Sequence, residues 1–287
     1  MTRESHESHV TDGSRLAMEL RATRYEVADG VATLWLHRPQ RRNAWTGRMH
    51  TEYRWIMSEL DADPAVRAVV VTGSEGAFCV GGDADALAGH AERGSYDSGV
   101  AAEVARPGHG VRPEWDHDFA WQFGLRLPII AAVNGACAGV GLALVTFCDL
   151  RVCATEARLT TAAPKLGLPA EYGLSWTLPR LIGITHAADL LLTGRIVTGA
   201  ETRDWGLWND VVPALDVLAR AREIASVFAT SVSPASVRET KRQLYADLDR
   251  PVHESLTHAA RLLDQMMGGA EYREGVDALR EKRPPRF

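Results

Sequence analysis

The sequence predicts a layered α/β core followed by a helical C-terminal module, and three observations predict it. Short apolar strands alternate with helical stretches up to about residue 210, the same order of elements recurs along the chain, and beyond residue 211 strand signals give way to helical periodicity. The first elements are two strands. Tyr25-Glu-Val-Ala-Asp-Gly30-Val-Ala-Thr-Leu-Trp-Leu-His37 alternates about Asp29-Gly30, a hairpin signature, and Arg38-Pro39 closes the second strand. Met49 to Leu60 then places Met49, Tyr53, Ile56, Met57 and Leu60 on one helical stripe. After Asp63-Pro64, the run Ala68-Val-Val-Val-Thr72 is wholly apolar, as a strand buried on both faces must be.

The order then repeats. Pro128-Ile-Ile-Ala-Ala-Val133 reads as a buried strand, Gly141 to Phe147 as a helix, and Leu150-Arg-Val-Cys153 as a returning strand. Residues 88–117, rich in Gly, Ser, His and acidic side chains, form a lid-like insert of the length that functional loops have. Val217 to Thr230, Pro234 to Leu248 and Val252 to Met267 read as helices, before a basic, Pro-containing end. The expected organisation is a disordered tail over 1–15, a core over 16–210 and a helical module over 211–287. Trp205 and Trp208, beside Gly206, read as packing residues.

Composition narrows the partners. A chain of 287 residues, 46% hydrophobic and 24% charged, lies in the globular range and can bury a large core. The net charge of −5 comes from 37 acidic and 32 basic residues spread along the chain, so no footprint for nucleic acid or an anionic membrane stands out. A small molecule is the expected partner. Cys79, Cys137, Cys148 and Cys153 form no C-x-x-C pair and sit in apolar runs, which predicts reduced, buried thiols and a cytoplasmic location. Met1 to Arg15 lacks the apolar stretch of a secretory signal, and no window reaches the length of a membrane span. His6 and His9 have the look of a metal pair but no third ligand, and no metal site is expected.

Four stretches carry a family likeness. Arg38-Pro-Gln-Arg-Arg-Asn43-Ala44, Gly76-Ala-Phe78-Cys-Val80-Gly81-Gly82-Asp83, Asn134-Gly135-Ala-Cys-Ala-Gly139-Val140-Gly141 with Cys148-Asp149 behind it, and Leu166-Gly-Leu-Pro-Ala-Glu171-Tyr-Gly173 followed by Leu178-Pro-Arg-Leu resemble the enoyl-CoA hydratase/isomerase, or crotonase, superfamily. Any one motif is weak; the set, in order and at family-like spacing from about Tyr25 onward, is strong. Two of the motifs also have a physical reading of their own. The segments at Val80-Gly81-Gly82 and Gly139-Val140-Gly141 lie between a buried strand and a helix, where backbone N–H groups are unpaired and favour negative charge. Glycine there admits a close backbone approach.

The resemblance implies a crotonase-like ββα spiral, a C-terminal trimerisation module, an acyl-CoA thioester substrate and a homotrimer or a hexamer of two stacked trimers. It implies no cofactor beyond the substrate's own CoA. The N–H groups of Val80 and Val140 become the oxyanion hole that holds the thioester oxygen as an enolate. Backbone around Ala44, Gly81, Gly82, Asp83 and Gly139 is implied in substrate binding, and Arg41 and Arg42 stand where CoA phosphates would be met. From the residues alone, Asp83 reads equally as the N-cap of a following helix.

The chain departs from the family's two-glutamate hydratases at both acid positions, which fall on Ala143 and Ala163. Glu171 is the acid left inside a matched motif, and its position resembles the single catalytic glutamate of peroxisomal-type delta-3, delta-2-enoyl-CoA isomerases. One carboxylate suffices to move a proton from C2 to C4, and a wall of Leu166, Leu168 and Trp176 would raise its pKa. Its bland reading is an ion pair with Arg180. His109, Glu114, Asp116, His117 and Asp118 of the insert are candidates for a second acid or base, which would favour hydration. Asp149 reads as a local hydrogen-bonding residue. The expectation is therefore enoyl-CoA isomerisation through Glu171, with hydration second and a non-catalytic acyl-CoA-binding subunit third.

Overall fold

The computed structural model describes residues 18–99, 112 and 115–287. The expected tail, His6 and His9, and the insert residues His109 and Glu114 lie outside the described residues. Strands β1 (Thr23–Ala28) and β2 (Val31–Leu36) form the hairpin, with Asp29 and Gly30 at φ of 50° and 76°. Two successive positive φ values are what a tight hairpin needs to match strand twist, and Asp-Gly adopts them at low cost. Helix α1 (Gly47–Ala62) starts at Thr46, whose hydroxyl accepts from the Met49 N–H, and buries Met49, Tyr53, Ile56, Met57 and Leu60 as the stripe requires.

From there each turn of the chain gives one strand to each of two sheets. β3 (Ala68–Gly73), β5 (Ile129–Val133) and β7 (Leu150–Ala154) enter the first; β4 (Ala77–Cys79), β6 (Ala136–Ala138) and β8 (Arg158–Thr160) enter the second. The first sheet runs β1-β2-β3-β5-β7-β10, closed by β10 (Asp210–Val212) and parallel throughout except for the hairpin; the second runs β4-β6-β8-β9, ending on β9 (Val197–Thr198). All of β3 is buried, consistent with its continuous apolar run in a central parallel strand. Helices α2 (Ala84–Arg93), α3 (Val140–Thr146) and α4 (Leu174–Thr193) follow strands of the second sheet. This is the expected ββα spiral, and its repeat stacks the two glycine turns side by side.

Two elements differ from the sequence expectation, and a third, α4, has no counterpart in it. The insert's first six residues belong to α2, because the Asp83 cap and an Ala/Leu-containing start carry the helix to Gly94, which ends it at φ 65°. Helix α4 breaks at Gly183 (φ 71°, ψ 162°). The basic end forms a further helix, α8 (Ala270–Glu281), anchored where Glu274 pairs with Arg283.

In the C-terminal module, α5 (Val217–Thr230) packs on β2, β3, β5 and β7. Helix α6 (Pro234–Ala246) is tied to the core by the buried Lys241, which donates to the Leu127 carbonyl and to Asp149, both at 2.7 Å. Asp149 also accepts from the Ile129 N–H and the Tyr245 hydroxyl at 2.7 Å, so it is a clamp between strand and helix. Helix α7 (Val252–Met267) leaves Leu256, Leu263 and Met267 more than half exposed or close to it. The four cysteines are unpaired and buried. Trp208 is buried and donates to Thr202, and Trp205 stacks on His186, so both are packing residues. Among the described residues no helix is long and apolar enough to cross a membrane.

Candidate active site

The two glycine motifs meet where β4 hands over to α2 and β6 to α3. Gly81 has φ 102° and Gly139 φ 50°; a methyl placed on Gly139 would stand 3.8 Å from the Gly81 Cα, so the turns touch. Gly141 has no room for a side chain at all, since a Cβ there would lie 2.7 Å from the Cys79 carbonyl oxygen. This close approach sets the start of α3 directly against the end of β4. Val140 is the first residue of α3, where an α-helix has no internal acceptor for its N–H. The Val80 N–H donates to no backbone acceptor among the described residues. Two donors of this kind on adjacent turns, one at a helix start, are suited to an anionic ligand atom.

A cavity of about 700 Å³ opens beside them, within the range of small-molecule sites. Val140 and Gly82 form part of its wall; Val80 and Gly81 lie just behind Gly82 in the same turn. Trp45 and Gly47 at the start of α1, Leu87 and His90 on α2, and Leu166 and Leu168 line other sides. Trp176, expected in this wall, does not line it; its ring packs against Phe123 and carries the Arg180 guanidinium at 4.0 Å.

Glu171 lines the cavity from the turn between β8 and α4. That turn bends sharply, with Gly167, Tyr172 and Gly173 at φ of 70°, 51° and 76°, and the Glu171 carbonyl accepts the Leu174 N–H to start α4. Arg180 does not pair with it, being engaged with Asp249 at 3.7 Å. Burial raises the Glu171 carboxyl above the ordinary carboxylate range, with the nearby His90 pulling in the opposite direction. The two alanines at the hydratase acid positions, Ala143 and Ala163, are both buried.

Of the insert's candidates, Asp118 reaches the cavity. Its carboxyl is also raised by burial, partly offset by His117 and Arg54. Asp116 turns away to a 2.9 Å pair with Arg54, and His117 is exposed. Two carboxyls with raised pKa values thus share one half-open pocket. Composition of the insert pointed to this possibility without selecting the residue, because the selection depends on the Asp116 pairing and on the turn at Asp118 (φ 34°). Tyr96 and Tyr172, also in the wall, were not singled out by any sequence signal; their rings meet edge to face with centroids 5.9 Å apart, and burial pushes the Tyr96 hydroxyl up to about 12.

Of the remaining expected binding residues, Asp83, Ala44, Arg41 and Arg42 do not line the cavity. Asp83 caps α2 through the Asp85 N–H at 3.0 Å and pairs with Arg38 at 2.8 Å. Burial opposes ionisation there, but the Arg38 contact holds the carboxyl below its usual range. Ala44 is buried and its carbonyl accepts from Arg38 at 2.7 Å. Arg41 is exposed, 3.5 Å from Asp85, and Arg42 is exposed at φ 50°; neither lines the cavity.

The family described as enoyl-CoA hydratase/isomerase matches the chain over residues 26–287. The chain is 33% identical to the enoyl-CoA hydratase ACTT3 of Alternaria alternata, covering 91% of this chain and 83% of that protein. It is 29% identical to the 1,2-epoxyphenylacetyl-CoA isomerase of Escherichia coli strain K12, covering 91% and 96%. Its fold superposes on the crystal structure of an enoyl-CoA hydratase from Bacillus anthracis with a TM-score of 0.81, at 27% identity over 93% of this chain and 99% of that one.

Proposed function

The chain belongs to the enoyl-CoA hydratase/isomerase family, whose substrates are acyl-CoA thioesters, and from that premise we propose that it shifts the double bond of an enoyl-CoA with Glu171 as proton shuttle. The observation that carries this reading is Glu171 itself, a carboxyl raised by burial, with no ion-pair partner among the described residues, that shares a cavity wall with Val140. In the first step the Glu171 carboxylate takes the proton from C2 of a 3-enoyl thioester. The C–H electron pair moves into the thioester, and the carbonyl oxygen becomes an enolate oxygen held by the N–H groups of Val80 and Val140. In the second step the Glu171 carboxylic acid returns its proton to C4. The double bond moves from C3–C4 to C2–C3, and the enzyme is restored. A raised pKa suits a group that must both take and give a proton near neutrality. The experiment is conversion of a 3-enoyl-CoA, followed by ultraviolet absorbance of the conjugated thioester. Unchanged turnover in Glu171→Gln would overturn the reading.

Asp118 supports a second reading, hydration of a 2-enoyl-CoA. Here Asp118 takes a proton from water as its oxygen bonds C3, the electrons pass through C2 to the thioester oxygen, and protonated Glu171 supplies the C2 proton. The buried alanines at the family's hydratase positions favour isomerisation over this route. The exposed apolar residues of α7 support packing against further copies of the chain, and we propose a trimer, or two stacked trimers, as the assembly.

A further inference from the structure

The cavity wall is not uniformly aliphatic. Four of its residues carry rings, and they are linked in a chain of contacts with Phe119 behind them. His90 meets Tyr96 with centroids 5.4 Å apart, Tyr96 meets Tyr172 at 5.9 Å, Tyr172 meets Phe119 at 6.0 Å, and Phe119 meets Trp45 at 5.4 Å. All but one of these pairs are edge-to-face, and the fourth is tilted. A further flat ring joins such an array favourably, because each member offers either an electron-rich face or an electron-poor edge. Leu87, Leu166 and Leu168 supply aliphatic surface to the rest of the wall.

Two features show that the array is held in place and left open. Tyr172 is a non-glycine residue at φ 51°, a conformation that persists only when its surroundings over-determine it. Tyr96 is 57% exposed, although its ring is already engaged on two sides by His90 and Tyr172.

We infer that the acyl group taken by this site carries an aromatic ring. The inference rests on the reading of this cavity as the acyl site. A straight acyl chain would fill the leucine side equally well but would leave the exposed ring of Tyr96 without an aromatic partner.

The test compares eleven-carbon thioesters of matched size: linear 3-undecenoyl-CoA and 5-phenylpent-3-enoyl-CoA. The ring compound is expected to exceed the linear one in kcat/KM by about tenfold, the order of two aromatic contacts, and Tyr96→Ala is expected to cut that advantage by about threefold or more. Equal or better use of the linear thioester overturns the inference, as does a ring advantage undiminished in Tyr96→Ala. The saturated pair, 5-phenylpentanoyl-CoA and undecanoyl-CoA, separates pocket from reaction. Tighter binding of the ring member by calorimetry with no turnover of any 3-enoyl thioester would sink the isomerase reading and uphold the pocket; equal binding of the two would sink the pocket.

Discussion

Val140→Pro deletes one atom group that the proposed chemistry cannot do without, the Val140 N–H, while asking little of the fold. Val140 is the first residue of α3, the helical position where proline is best tolerated, because no internal hydrogen bond is lost there. The residue before it, Gly139, has φ 50° and ψ −119°, which is the mirror image of an extended conformation and open to glycine ahead of a proline. Loss of one oxyanion donor costs about 10²–10³ in kcat, or roughly 3 to 4 kcal/mol of transition-state stabilisation, and the proline ring placed where the hydrogen was adds to that. Val140→Ala is the control: it keeps the N–H, and its penalty is a stability loss of about 1 to 2 kcal/mol from trimming a buried side chain. The assay is the rise in conjugated-thioester absorbance, with thermal unfolding run alongside. A Val140→Pro protein that unfolds near the parent temperature and turns over within threefold of it would refute the assignment of the donor.

Glu171→Gln is expected to lower kcat by about 10²–10⁴ with little change in KM. Because burial raises the Glu171 pKa in the folded protein, the folded state binds the proton more tightly than the unfolded chain, and stability falls as pH rises through that interval; the amide variant should therefore be the more stable protein at neutral and higher pH, in thermal melts across a pH series. The same raised pKa should move the acid limb of kcat/KM above the range of an ordinary carboxylate in the parent enzyme. Asp118→Asn should leave isomerisation within a few-fold and abolish any water addition, measured by loss of 2-enoyl-CoA absorbance; equal loss of both activities would place Asp118 in the isomerase step. Lys241→Met should destabilise the protein by about 3 kcal/mol, seen as a drop of roughly 6 °C in the melting temperature, because Asp149 would stay buried without its cation.

The sequence made the spiral legible because its signals are local. Asp29-Gly30 dictates the hairpin, Ala68 to Thr72 has the unbroken apolar run of a central parallel strand, and the glycine turns mark the junctions where backbone comes closest. The oxyanion donors were legible for the same reason, since a helix start is encoded within a few residues. Glu171 was legible as the acid left in its motif, but its freedom from Arg180 was not, because that depends on Asp249 from the loop after α6. Asp118 was one of five equivalent-looking insert residues, and only the Arg54–Asp116 pair, formed across 62 residues, distinguishes it from its neighbour. Tyr96 and Tyr172 carried no signal because neither lies on a periodic stripe, and their meaning arises from meeting one another across 76 residues of chain.

This division follows from how the spiral builds its site. Each turn delivers a strand end and a helix start to the same place, so backbone donors are positioned by the repeat itself and survive any side-chain choice compatible with the turn. The side chains proposed to move protons come from elsewhere: Glu171 from a strained turn before α4, Asp118 from the end of the insert, both lining the cavity from outside the repeat. The enolate-stabilising half of the chemistry is therefore fixed by fold, and the proton-transfer half is free to vary. With alanine buried at 143 and 163, the proposed chemistry takes its proton transfer from the turn and the insert instead of from those two positions. Those segments also carry Tyr96 and Tyr172, which couples the choice of reaction to the choice of acyl group: a substitution that reshapes the aromatic wall also shifts the backbone that holds Glu171, its immediate neighbour.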